Sequence, residues 1–159
     1  MDLDWCGLAW TPWAALERQA IRQTAPTVLG VYRVRRHGDG PARLTYVGQT
    51  GRGLRERPLT LAADVNADDY PFNDPHTAAP HLWLLRRLDG AQLECSCAPM
   101  PGTVQILRGT EDMLLWRHRI ETGFSTEANY GRFYPDYARP TNRWIVRKGD
   151  STGSRTPAG

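Results

Sequence analysis

Five polar residues of this chain have the types and order to share one task. Tyr32 and Tyr46 each sit in a tripeptide with a glycine at its far end, Gly30-Val31-Tyr32 and Tyr46-Val47-Gly48; Arg57 follows closely, and Glu111 and Asn129 come later. A guanidinium presents two parallel donors to a phosphate, and a lone carboxylate can anchor a divalent ion whose other places are filled by water. A phenol with a pKa near 10 acts as a base only where a nearby cation stabilises its anion. Together such groups could bind an anionic group and stabilise charge that builds on it. Each also has a plain structural role when taken singly. Hairpin tyrosines pack with a wet hydroxyl, a first-turn Glu111 suits the helix dipole, Arg57 is solvated, and Asn129 makes a turn.

The elements that must position these groups follow from local pattern. Val28 to Val34 is rich in β-branched and aromatic residues, His37 to Pro41 is a turn, and Leu44 to Val47 returns. This predicts a β-hairpin with Tyr32 and Tyr46 on neighbouring strands. Beyond the glycine-bearing loop 48–53, Leu54 to Ala63 is helical and carries Arg57 back toward the sheet, with Pro58 pushing the start toward Arg55. A polar loop spans Asp64 to Pro80, a helix His81 to Leu88 stops at Asp89-Gly90, and Ala91 to Ala98 alternates as a half-buried strand. After the break at Pro99 to Gly102, Val104 to Leu107 reads as extended, and Thr110 caps a helix from Glu111 to Thr122 that Gly123 closes. Ahead of the hairpin, Thr11 and Pro12 open a helix reaching Gln23; Trp144-Ile145-Val146 is the last expected element. The expected fold is α+β, a central three-stranded antiparallel sheet flanked by helices, with an extra N-terminal helix. Residues 1–26 form a helical extension packed on the core, 27–147 the main domain, and 148–159 a disordered tail.

The order Gly30-Val31-Tyr32, Tyr46-Val47-Gly48, Leu54 to Arg57, Glu111-Asp112-Met113-Leu114-Leu115 and Asn129 resembles the GIY-YIG nucleases across roughly residues 28 to 132. The resemblance implies a small GIY-YIG-type domain and a metal-dependent DNA endonuclease that hydrolyses phosphodiester bonds. Arg57 takes the place of the catalytic arginine, three residues after an apolar anchor. Glu111 takes that of the glutamate holding Mg²⁺ or Mn²⁺, and Asn129 that of the asparagine after the same helix. Tyr32 is assigned as the base and Tyr46 as its partner in orienting water or phosphate. Arg52, Arg55 and Arg132 are expected to contact DNA. The chain departs from the family at Leu61, where a histidine or tyrosine usually follows the arginine by one turn; His76, His81 and His118 are the candidate replacements.

Composition bounds these expectations. The chain has 159 residues, 40% of them hydrophobic, enough for one domain with a real core. The net charge is +3, and of the 20 basic residues only Lys148 is a lysine. Arginine suits bidentate phosphate contact, although a GC-rich genome alone also enriches it. No run approaches the roughly 18 apolar residues of a membrane span, and the start, Met1-Asp2-Leu3-Asp4, is acidic where a secretory signal is basic. A cytoplasmic protein is expected, with double-stranded DNA as partner, a possible homodimer so that two sites cut two strands, and neither a membrane nor a nucleotide cofactor. Three cysteines form no even disulfide framework, which fits a reducing compartment.

Several alternatives stand beside the nuclease. Small size favours restriction or defence over homing or repair, and a catalytically inactive nucleic-acid-binding module is the rival class. An RNA-directed protein is a third, though nothing recognisable reads a 2′-hydroxyl. Cys95 and Cys97 with His76 and His81 hold zinc-type ligands, but two cysteines spaced by one on a strand face the same side and suit packing. Trp5, Trp10 and Trp13 suit either base stacking or a hydrophobic clasp over the sheet.

Overall fold

A computed structural model describes residues 2–40, 43–71 and 77–129. Its centre is β2 (Gly30–Arg36), bordered on one side by β3 (Tyr46–Thr50) and on the other by β4 (Leu93–Pro99), both antiparallel. The hairpin and the third strand form as expected, except that the returning strand runs Tyr46–Thr50 in place of Leu44 to Val47 and takes up the first half of the expected loop. A fourth strand, β1 (Ala14–Ala15), corrects the three-stranded expectation and gives the order β1-β4-β2-β3.

That strand also shortens the N-terminal helix, so that α1 is Arg18–Thr24 and does not start at Pro12. Thr11 caps no helix: its N–H donates to the Cys97 carbonyl at 2.8 Å, and its hydroxyl accepts from the Cys97 N–H at 3.0 Å. Alanines and a capping threonine favour a helix locally, but the open edge of β4 offers backbone partners that a helix here would leave unmet.

After β3 the chain enters α2 (Glu56–Val65), then α3 (Ala79–Leu88), β4 and α4 (Val104–Thr122). Pro58 is the third residue of α2, within the first turn, where a proline is tolerated. Thr103 caps α4 through the Ile106 N–H, and Gly123 closes it at φ 79°. The extended run expected at Val104 to Leu107 and the cap at Thr110 are corrected, since α4 runs straight through Gly109. The Thr110 hydroxyl donates back to the Ile106 carbonyl at 2.9 Å. Leu107, Leu114, Leu115 and His118 are all buried, a recurrence that one continuous helix satisfies.

The sheet separates two apolar layers. Tyr32, Val34, Tyr46, Cys95 and Cys97 pack against Ile21, Leu54, Leu61, Leu82 and Leu85 from the α1–α3 side. Val31, Val47 and Ala98 face Leu114 and Leu115 of α4 together with Trp5 and Trp10. Cys95 and Cys97 are thus buried packing residues, and the tryptophans form a wall over the sheet. No helix among the described residues is long and apolar enough to cross a membrane.

Candidate functional site

Strand pleating places Tyr32 opposite Gly48 and Tyr46 opposite Val34, so both phenols leave the sheet on the same face. Their ring centroids are 5.9 Å apart with planes at 55°, and a side-chain hydrogen bond joins them. Gly48 lies beneath both rings. A Cβ there would fall 2.7 Å from Tyr32 Cζ and 2.8 Å from Tyr46 Cε1, so only glycine lets the pair close over the strand. Gly30 is required for a different reason, because its Cβ would fall 2.2 Å from the Ala98 carbonyl oxygen of β4. The glycines of both tripeptides are therefore steric consequences of a three-strand junction.

Arg57 reaches the same place from α2. Thr50 Oγ1 accepts from the N–H groups of Arg52 and Gly53, folding the loop into a tight turn, and Leu54 is fully buried as its plug. Three residues further on, Arg57 stands close enough for its charge to act on the Tyr32 phenol. Tyr32 is nonetheless held well above the ordinary tyrosine pKa, first by complete burial, then by the adjacent Tyr46, with Arg57 pulling the other way.

Beside this group runs a cleft of about 350 Å³ lined by Gln49, Thr50, Gly51, Arg52, Glu56, Arg57 and Thr60. Two arginines against one glutamate give it a positive wall. Arg52 is almost wholly exposed, with Glu56 at 4.0 Å. Gln49 alternates to the α4 side of β3. Its Oε1 is buried with no hydrogen-bond partner among the described residues. A larger depression of about 590 Å³ lies at the Leu93 end of β4, lined in part by Glu17, His37, Arg86 and Arg87, and holds none of the expected site residues.

The remaining expected residues disperse. Glu111 is the eighth residue of α4 and not a first-turn residue, because the helix begins at Val104. It lies on the buried stripe between Leu107 and Leu114, in the layer across the sheet from the tyrosines, and is not part of the cleft wall. Asn129 is spent on structure: its Oδ1 accepts from the Val47 N–H at 3.0 Å and its Nδ2 donates to the Val47 carbonyl at 2.7 Å. Arg55 donates to the Ala25 carbonyl at 3.0 Å.

Histidine replacements for the Leu61 position do not gather at the cleft. His118 is buried in α4, where Nε2 accepts from the Leu44 N–H at 2.9 Å and burial lowers its pKa to about 4. His81 is depressed by burial and has Glu127, Arg36 and Asp89 as charged neighbours, at the opposite end of β2 from the cleft. His76 and Arg132 lie outside the described residues, as does the element expected at 144–146. Leu61 itself is wholly buried among aliphatic side chains. The residue one turn beyond Arg57 that faces the cleft is Thr60. Gln49, Glu56 and Thr60 went unnoticed in the sequence, although Thr60 stands three residues after Arg57 and so shares its helical face.

No family model, curated protein or solved structure matches the chain.

Proposed function

We propose that the chain is a metal-dependent endonuclease that hydrolyses phosphodiester bonds in DNA. The observation that supports this best is the pairing of Tyr32 and Tyr46 over Gly48 with Arg57 close enough to act on the Tyr32 phenol, Arg57 also lining a positively charged cleft. The order of motifs resembling the GIY-YIG nucleases supports it independently.

In this proposal a backbone phosphate enters the cleft and accepts two charge-assisted hydrogen bonds from Arg57, which strengthen as negative charge builds. Arg52 adds a solvent-side charge that attracts the polyanion. Tyr32, sealed and held neutral, serves as a donor that orients Tyr46. Tyr46 is the less buried phenol and positions the attacking water, the reverse of the split expected from sequence. Glu111 on α4 and the unpartnered Gln49 Oε1 on the same side of β3 are both hard oxygen donors, of the kind Mg²⁺ or its bound waters take. Glu111 lies outside the cleft wall, and no group of three or more His, Cys, Asp or Glu side chains gathers among the described residues. A divalent ion would therefore need water and the phosphate itself to complete its shell, and when bound would supply Lewis-acid stabilisation of the leaving oxygen.

A supercoiled-plasmid assay with Mg²⁺ or Mn²⁺ against a chelator control, comparing wild type with Glu111→Ala, tests this. Metal-dependent nicking that Glu111→Ala removes is the expected result. A wild type that binds DNA and never cuts it with either metal sinks the enzyme and leaves a binding module. Preference for structured RNA over duplex DNA would redirect the substrate class.

A further inference from the structure

The outer face of α4 carries a second apolar stripe, separate from the one that packs on the sheet. Ile106, Met113, Trp116 and Ile120 are 50%, 37%, 52% and 51% exposed, and together with Gly109 and Gly123 they repeat at alternating spacings of three and four. That is the seam of a helix that pairs with another helix. Gly109 points to the same use. It costs roughly 1 kcal/mol in a helix interior relative to alanine. A Cβ there would meet nothing within 4 Å, so packing among the described residues gives no reason for a glycine.

We propose that this face binds a second copy of the chain, with the two α4 helices antiparallel about a two-fold axis. Antiparallel seams set each first-type position against a second-type position of the other helix, which places Ile120 on Gly109 of the second copy and Ile106 on its Gly123. Met113 meets Trp116 of the second copy at the centre, twice. Every bulky residue is then met by a glycine or by a flexible thioether that suits an aromatic edge. A parallel pairing would stack Trp116 on Trp116 and leave Gly109 over Gly109 as a void. Charge agrees with the antiparallel choice, because Asp112 of one copy flanks Arg119 of the other on both sides of the axis. Both side chains also make contacts within their own chain, Arg119 to Ser125 among them, and a guanidinium with five N–H donors and a carboxylate with two oxygens can serve more than one partner. The pairing stands apart from the proposed nuclease function. Its use, supplying two active centres for two DNA strands, rests on that function.

Sedimentation equilibrium of the full chain over a concentration series, with thermal melts of the same samples, tests the interface without reference to cleavage. Wild type is expected to dimerise. Trp116→Glu should weaken the dimer at least about 30-fold, the weight of a central aromatic anchor, with unchanged far-UV dichroism. Gly109→Leu should move two readings in opposite directions: it raises the helix stability of the monomer and weakens the dimer. Asp112→Arg should weaken association, and adding Arg119→Asp should restore it. A wild type that stays monomeric at every concentration overturns the proposal. So does a dimer indifferent to Trp116→Glu and Gly109→Leu. A dimer that fails to cut DNA leaves the pairing intact and counts against the nuclease alone.

Discussion

Tyr32 and Arg33 are adjacent on β2, both wholly buried, and they leave the strand on opposite faces. On the first face a phenol hydrogen-bonds a second phenol and sits near the guanidinium of Arg57, which lines a cleft. On the second, the Arg33 guanidinium lies 4.2 Å from the Trp10 ring centroid, 4.6 Å from that of Trp13 and 5.7 Å from that of Trp5. Its Nε and Nη1 have no hydrogen-bond partner among the described residues. Burial lowers its pKa to about 10, so it remains charged at neutral pH. Its attraction to three indole faces offsets part of the desolvation that burial imposes. One strand thus buries two polar groups by different means. The first face carries polar groups linked to one another, the arrangement on which the proposed chemistry draws, whereas the cation enclosed by aromatics holds the N-terminal segment to the sheet.

This contrast can be broken most directly at Arg57. Arg57→Ala should lower cleavage by about 100-fold or more while the melting temperature stays near wild type, the signature of a lost phosphate donor. Equal loss of stability and activity would make Arg57 a structural residue like Arg33. The next effect belongs to the Arg33 face, where His118 is neutral and accepts from Leu44. The fold prefers its unprotonated form, so its contribution is complete above pH 6.5 and is lost as pH falls toward about 4. Urea unfolding across that window should show a decline on the order of 3 kcal/mol that His118→Gln flattens. A wild-type profile that matches the variant's would exclude His118 as the cause.

Gly48→Ala should cost about 2 kcal/mol through overpacking against both rings, and should disturb the two tyrosine environments in near-ultraviolet dichroism. A variant as stable as wild type would mean the phenols can separate freely. The smallest effect is expected at the tryptophan cage. Arg33→Met retains apolar bulk while removing a desolvated charge, and should lower stability by no more than about 1 kcal/mol with cleavage unchanged. A large loss of cutting there would end the division between the two faces.

Much of the site-bearing part of the fold was legible in the chain. Tyr32 and Tyr46 announce their strands by local alternation, and Leu54 and Pro58 bracket the start of α2 because anchors and prolines act within a turn. The misread parts depend on distant partners. Ala14 and Ala15 become a strand only because β4 has an edge to fill, and the start of α4 was placed at Glu111 because Val104 to Leu107 read locally as extended. Asn129 was assigned to chemistry from its place in the motif order, yet it binds a strand far earlier in the sequence. Tyr32 was assigned as base from its type, and burial, which only three dimensions disclose, argues against it. Gln49 gave no local signal, since its exceptional feature is an oxygen left without a partner.

The amide of Asn129 has one more consequence. β3 is the outer strand, and Val47, its second residue, would otherwise turn an N–H and a carbonyl away from the sheet. Asn129 occupies both, and the Ala128 N–H takes the Thr45 carbonyl at 2.9 Å. A short side-chain amide so mimics one residue of a neighbouring strand, and it denies that row of groups to any foreign chain seeking to extend the sheet into a fibre. Removing it would leave that edge of β3 open to strand addition, so the protection of this edge and the placement of β3 depend on the same side chain.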